Sequence, residues 1–500
     1  MADLDDSFLD LPLERLRDAA LSRATELGCS YADLRIERIR AANRSYRDRA
    51  LESATTSETL GLAVRVLFHG VWGFASDIAL TAEAAARLAE RAVVTAKVAL
   101  PLTPRRVELA EEPVYADARW VSSYEVNPFD VDEAEQHDRM LALSEQLLGA
   151  PGVTHSTASL AYVQENKYFA NLAGTTTRQQ RVRIQPQLTA VRVGESGFDT
   201  MRTLAPPAGR GWEYLTGHGW DFDAETAQLP EILAEHVAAP SVEAGHYDLV
   251  IDPTNLFLTI HESVGHATEL DRALGYEAAY AGTSFATFDR LGTLHYGSPV
   301  MTVTGDRTVE HGLSTVGYDD EGVAAQEFDI IAGGTLVGYQ LNRQMAAEKQ
   351  LGRSNGCAFA DSPGHIPMQR MPNVSLQPAP EGPTTAELVS GVDRGIYVVG
   401  DKSWSIDMQR YNFQFTGQRF YRITEGRIVG QLKDVAYQAT TTDFWRSMEA
   451  VGGPSTYLLG GAFNCGKGQP GQVAPVSHGC PSALFRGVNV LNTAAEGGSR

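Results

Sequence analysis

YDLVIDPTNLFLTIHESVGHATELDR, residues 247–272, opens as an apolar strand and turns into a helix at Asp252. Asp252 is a favourable N-cap, and Pro253 stands at the first helical position, where its missing N–H costs nothing. His261, Glu262 and His266 then fall in the third and fourth turns of that helix. Downstream, short β-like runs dominate: HYGSPVMTVTGD (295–306), GYQLNR (338–343), GIYVVGD (395–401), FQFTGQRFYRI (413–423) and RIVGQL (427–432). One strong helix among many short strands predicts a C-terminal domain over residues 245–500, mainly antiparallel β, built as a curved sheet or partial barrel carrying the His/Glu helix.

Upstream the pattern changes to longer elements. Leu13, Leu16, Ala20, Ala24 and Leu27 recur at helical spacing, Gly28 offers a left-handed cap, and Ala32, Leu34 and Ile36 then alternate with charged residues, predicting a half-buried strand. GLAVRVLFHGVWGFAS (61–76) predicts a buried hairpin, and the Ala-rich stretch from Thr81 to about Leu100 a second helix. A third helix follows Asp130 and ends at Gly149, before a set of antiparallel strands over 154–193. The fold class is therefore α+β: a mixed N-terminal α/β-layer domain over 1–205, a linker and bridging helix over 206–244 marked by the Gly-, Pro- and aromatic-rich PPAGRGWEYLTGHGWD, and the β-rich domain from 245.

Composition narrows the function. Acidic residues exceed basic ones by 20 (62 against 42), a field that repels nucleic acid. No apolar run approaches the length that spans a bilayer, and the acidic start MADLDDSFLD is unlike a secretory signal, so a cytoplasmic protein with no membrane partner is expected. Four scattered cysteines, Cys29, Cys357, Cys465 and Cys480, do not make a disulfide framework. A cysteine with a special role is then a metal ligand or a nucleophile.

Two histidines flanking a glutamate on a helix suit a zinc peptidase, in which imidazoles hold Zn²⁺ and the carboxylate takes a proton from the attacking water. The common spacing is HExxH, and HESVGH has one residue more. On a regular α-helix, residues five apart point about 140° apart, too far to share one small ion. The spacing therefore predicts a distorted helix, with a π-bulge near Gly265. A catalytic zinc needs a third protein ligand. Glu269 and the thiolates of Cys465 and Cys480 are candidates; Cys465 is preferred because it sits in the Gly-rich GGAFNCGKGQPGQ beside Lys467, a cation that favours the thiolate.

HESVGHATELD together with NCGKGQP (464–470) resembles the TldD/PmbA family of metallopeptidases, in its TldD branch. Further pieces follow the family's order: residues 61–76, DDEGVAAQ (319–326), IAGGTLVGYQLNRQMA (331–346) and PMQRMPNVSL (367–376), so the likeness runs over essentially the whole chain. It implies one Zn²⁺ held by His261, His266 and Cys465, with Glu262 as catalytic base. It further implies a heterodimer with a TldE (PmbA)-like paralogue lacking the HExxxH signature, enclosing a chamber that admits short or unfolded peptides.

The sequence departs from the family at WSIDMQRYNFQF (404–415), where a small-residue, Gly-rich run is usual, and Trp404, Tyr411 and Phe413 add bulk. Tyr318, Arg370, Asn373 and His295 are candidates for an oxyanion donor or substrate clamp. Two other functions fit the same residues: metal-dependent amide cleavage or tailoring of a modified peptide, and a peptide-binding subunit that does not cut. A pure binder has no use for a general base beside a metal.

Overall fold

The computed structural model describes residues 3–194, 197–468 and 470–497. Seven strands form the N-terminal sheet: β1 (Tyr31–Arg47), β2 (Ala50–Phe68), β3 (Val71–Asp77), β4 (Ala118–Val121), β5 (His155–Asn171), β6 (Thr176–Gly194) and β7 (Gly197–Arg202). They are ordered β3-β2-β1-β5-β6-β4, with β7 on the far end of β6. The His69-Gly70 turn joins β2 and β3 with both residues at positive φ, the geometry that matches strand twist in a tight hairpin. Helices Leu13–Glu26 and Ala82–Ala99 cover one end of one sheet face. Thr81 caps the second through Ala84 N, and Gly28 takes the left-handed conformation after the first. Helix Glu133–Leu148 packs with the strands' other half.

Much of the segment 206–244, read as a linker and bridging helix, packs into this core. Trp212, Tyr214 and Leu215, with Phe222, Leu229 and Leu233 of helix Phe222–Ala238, bury themselves among Tyr46, Leu160 and Ile184. Glycines and prolines there serve close turns, while the aromatics between them supply the burial. The same helix meets the C-terminal domain, its Ile232 carbonyl and Glu235 carboxylate accepting from Gln431 Nε2.

The C-terminal domain begins with β8 (Gly245–Ile251). A four-stranded sheet comprises β9 (Val303–Asp306), β10 (Glu327–Ala332), β11 (Thr335–Leu336) and, beyond the short pair β12 (Ala358–Phe359) and β13 (Met368–Gln369), β14 (Asn373–Leu376). The larger sheet uses β8 with β15 (Arg394–Ile406), β16 (Asn412–Thr424), β17 (Arg427–Leu432), β18 (Val435–Thr440), β19 (Met448–Val451) and, after the hairpin β20 (Leu458–Lys467) and β21 (Gln472–Cys480), β22 (Ala483–Asn492). In the order β15-β8-β22-β18-β16 it returns to β15, because β16 also pairs with β15, so five strands close into a small barrel-like ring. The pairing is antiparallel except where β8 runs parallel to β15. The fold is the α+β, two-domain arrangement expected. Among the described residues no helix is long and apolar enough to cross a membrane.

One expectation needs correction. The charged residues alternating along β1 do not face solvent: Asp33, Arg35 and Glu37 are as buried as Ala32, Leu34 and Ile36. The second sheet face packs on residues of the C-terminal domain through ions. Lys167 Nζ lies 2.8 Å from Asp320, Arg65 reaches Glu321 at 3.0 Å, and Arg35 donates to the carbonyls of Ser362 and His365. Such pairs add little net stability over apolar packing, but a shifted docking would strand unpaired charges, which fixes the interface.

Candidate metal centre

The apolar helix Pro253–Ile260 lies fully within the C-terminal core, with Leu256, Phe257 and Ile260 among the strands' buried side chains. Asp252 caps it by accepting from Thr254 N, with Pro253 at the first position. At His261 the coil widens. Residues His261–Gly265 form a π turn in which His266 N–H donates to the His261 carbonyl, and a short 3₁₀ turn, His266–Thr268, follows. The extra residue of HESVGH is absorbed there, so both imidazoles come to one side, their ring centroids 4.7 Å apart.

Side chains from distant elements hold the irregular turn by taking up backbone carbonyls. Tyr296 hydroxyl donates to Ser263 O, and Gln340 Nε2 donates to Gly265 O at 2.5 Å. Gly265 has ordinary helical backbone angles; what it supplies is space. A Cβ there would lie 2.7 Å from Met371 Sδ and 3.6 Å from His478 Cε1.

Cys465 comes from β20. A register shift between Ala462 and Cys465 puts an extra residue into the hairpin and re-aims the thiol at the helix. One donor atom each of His261, His266 and Cys465 lie within 4.8 Å of one another, all buried, with Cys465 Sγ 3.5 Å from His266 Nε2. Donors around a tetrahedral zinc lie roughly 3.4 Å apart, so the cluster fits the ion with a small inward adjustment of its side chains.

The outward nitrogens are committed elsewhere. His266 Nδ1 is 2.9 Å from Glu269 Oε2, and His261 Nδ1 is 2.7 Å from His478 Nε2, whose own Nδ1 is 2.8 Å from the Val374 carbonyl. A carbonyl can only accept, so His478 carries its proton on Nδ1 and accepts from His261 Nδ1–H. Both Nε2 lone pairs are thereby left for a ligand. Burial pushes His261 below the ordinary histidine range and His478 well below it, which keeps both rings neutral. Burial alone would raise the Cys465 thiol, but the groups around it, the Arg370 guanidinium among them, outweigh it and favour the thiolate. Glu262 follows the same rule, with burial outweighed by the positive groups around it, Arg410 among them, which hold its carboxyl below the ordinary glutamate value.

Of the other sequence candidates, Glu269 orients His266 rather than joining the donor cluster, and Cys480 points its thiol at the Pro253 carbonyl. Lys467, expected to favour the thiolate, is a buried ammonium 3.1 Å from Glu269, 2.8 Å from Asp271 and 3.3 Å from Glu277. Arg370 is the cation that serves Cys465, donating to its carbonyl at 2.7 Å. Asn373 spends both ends of its amide inside the fold: Oδ1 accepts from Ser314 N and Ser477 N, and Nδ2 donates to Asp306 O and Thr315 Oγ1. It has nothing left for a substrate. Tyr318 packs on Tyr115 at the domain junction, 5.0 Å between centroids, and the exposed His295 offers its carbonyl to Arg446. Two residues were not read from the sequence. His478 lies in VSHGCPS, where a histidine inside an apolar strand is the only signal; Arg410 lies in WSIDMQRYNFQF, among bulkier aromatic residues.

The family of this constellation can now be fixed. The C-terminal domain of PmbA/TldA metallopeptidases matches residues 244–492, and domain 1 of the same proteins matches residues 32–96. The chain belongs to the PmbA/TldD metallopeptidase family. A metalloprotease of Methanothermobacter thermautotrophicus is 28% identical to this PmbA/TldD protein over 463 residues, 93% of this chain and 96% of that one. The zinc metalloprotease TldD homolog of Saccharolobus solfataricus is 23% identical, over 94% and 98% of the two chains. Among solved structures, TldE of Thermococcus kodakarensis superposes with a TM-score of 0.73 at 13% identity over 95% and 99% of the two chains, a likeness of fold alone.

Proposed function

We propose that this PmbA/TldD protein is a zinc-dependent peptidase subunit that hydrolyses peptide bonds in short or unfolded peptides. The convergence of His261, His266 and Cys465 beside an ionised, buried Glu262 carries the reading. These three residues would hold one Zn²⁺, which supplies Lewis acidity, polarising the scissile carbonyl and acidifying water. Glu262 accepts the proton of the attacking water and returns it to the leaving amine. His478 and Glu269 hold the two imidazoles in the ligating tautomer, and Arg370, anchored on the Cys465 carbonyl, favours ionisation of the thiol beside it.

Access supports the substrate class. His261, Glu262 and His266 are only 5%, 6% and 5% exposed, so a folded protein surface cannot reach them. A cavity of about 280 Å³ adjoins the metal helix, lined by Thr254, Leu258, Lys402, Trp404, Gly460 and Ala462. Among the described residues β20 pairs only with β21, so its second edge can take an extended peptide as an added strand leading toward Cys465. We further propose a heterodimer with a TldE-like paralogue that lacks the HExxxH signature, the two enclosing the site in a chamber; the shared fold with TldE supports such pseudo-symmetric pairing.

Purification together with the paralogue, metal analysis and mass spectrometry of peptide products test the proposal in one preparation. One zinc per chain is expected, with new peptide termini, and Glu262→Gln should lower kcat at least about 10³-fold while retaining zinc. A metal-free protein, or full turnover by Glu262→Gln, sinks the reading.

A further inference from the structure

The strands β15 and β16 extend beyond the barrel as a hairpin whose tip, Asp407 to Tyr411, reaches the metal helix. The tip is fastened internally and to two neighbouring segments. Asp407 carboxylate accepts from the backbone N–H groups of Gln409, Tyr411 and Asn412. Thr283 and Phe285 N–H donate to the carbonyls of Met408 and Gln409, and Thr441 hydroxyl donates to the carbonyl of Arg410. Within this frame Arg410 has φ +62°, the left-handed conformation that hairpin loops use and that is uncommon for a non-glycine residue.

The Arg410 side chain points from this turn into the site, where it is 15% exposed and Nη1 lies 3.4 Å from Glu262 Oε2. That is a long, single contact for a group that usually grips a carboxylate through two short bonds, and the buried Nε has no partner. A guanidinium held in place at the general base with donors to spare suits an acceptor that arrives with the substrate.

We infer that Arg410 is a catalytic residue that donates hydrogen bonds to the oxyanion of the tetrahedral intermediate; this rests on the peptidase reading above. As the water oxygen bonds to the carbonyl carbon and Glu262 takes its proton, the carbonyl π pair moves onto oxygen. The fixed cation meets that new charge without reorganising. Hydrogen bonds of this kind are often long before substrate binds and shorten in the transition state.

The test uses the zinc-loaded protein with its paralogue and compares Arg410→Gly, Arg410→Lys and Glu262→Gln. Glycine suits the φ of this position, so the tip keeps its turn. Both Arg410 variants are expected to lose about 10²-fold in kcat with KM changed less than about threefold, since a donor used only in the transition state leaves ground-state binding alone. Zinc content should be unchanged, and added guanidinium ion should restore part of the rate of Arg410→Gly. A phosphinic peptide, which mimics the tetrahedral intermediate, should bind Arg410→Gly about 10²-fold more weakly by calorimetry, whereas an ordinary peptide should bind alike with and without Arg410 in the inactive Glu262→Gln background. Unchanged kcat, a loss confined to KM, undiminished phosphinate affinity, or loss of zinc would each overturn the assignment while leaving the peptidase reading standing. Full activity in Glu262→Gln would overturn both.

Discussion

The chemistry of the site depends on which nitrogen of each histidine is free, and that is settled by neighbours rather than by the histidines. His478 fixes His261 and the Glu269 carboxylate fixes His266. Removing the acceptor in His478→Ala leaves His261 Nδ1–H buried without a partner and the ring able to turn. Such outer partners typically contribute 10- to 100-fold in metal affinity. A zinc-competition titration should therefore show binding weakened by about that factor in His478→Ala, with Glu262 still in place; unchanged affinity would remove His478 from its role. Lys467 illustrates the opposite dependence. Three buried carboxylates surround its ammonium, and Lys467→Met would leave Glu269, Asp271 and Glu277 with Arg272 as the one cation contacting Glu269 and Glu277. A destabilisation of about 3–5 kcal/mol is expected in denaturant unfolding.

At the scale of the element, the informative object is the helix that changes pitch. Its start is local: the Asp252 cap and Pro253 begin the helix in sequence and structure alike, but the regular helix expected to about residue 270 ends at Ile260. Its irregular end is legible only as a conflict, because HESVGH cannot put both imidazoles on one side of a uniform α-helix. The resolution as a π turn depends on Tyr296 and Gln340 reaching its carbonyls from other elements. Gly265→Ala tests this directly. A methyl group would press on buried Met371 and approach His478, so a loss of about 1–3 kcal/mol is expected, with weaker zinc binding, despite alanine's better helix propensity. A more stable Gly265→Ala protein would show that the turn has room to relax. Hairpin β20–β21 makes the same point, since the bulge that aims Cys465 leaves no mark in a Gly-rich sequence beyond its looseness.

At the scale of the whole molecule, the two domains are held in register by ions between the N-terminal sheet and the segments around Asp320 and Glu321. Burial would raise Asp320, but Lys167 and then Arg35 outweigh it and hold its carboxyl below the ordinary aspartate value of 3.8. The sign follows from that direction. The ionised form is favoured by folding, so the stabilisation is fully present above about pH 4 and is lost as pH falls through the depressed folded value. Asp320→Asn should cost about 3 kcal/mol at pH 7, and its difference from the natural protein in urea unfolding should shrink progressively below pH 4. A difference independent of pH would mean that the residue acts through shape rather than charge.

The sequence by itself determined what is short-range or strongly patterned: the α+β class, the helix caps at Thr81 and Asp252, the hairpin around His69-Gly70, and the grouping of His261, Glu262 and His266 on one segment, with Cys465 named only as the preferred third candidate. These follow from periodicity, capping and donor chemistry, which act over a few residues. Tertiary structure alone decided that β1's charged face is buried, that Trp212 to Leu233 pack into the N-terminal core, that Lys467 serves a carboxylate cluster instead of the thiol, and that His478 and Arg410 adjoin the site. Each of these is a contact between elements far apart in the chain. Whether a charged side chain meets water, a partner or a catalytic group depends on what packs against it, and no local pattern carries that information.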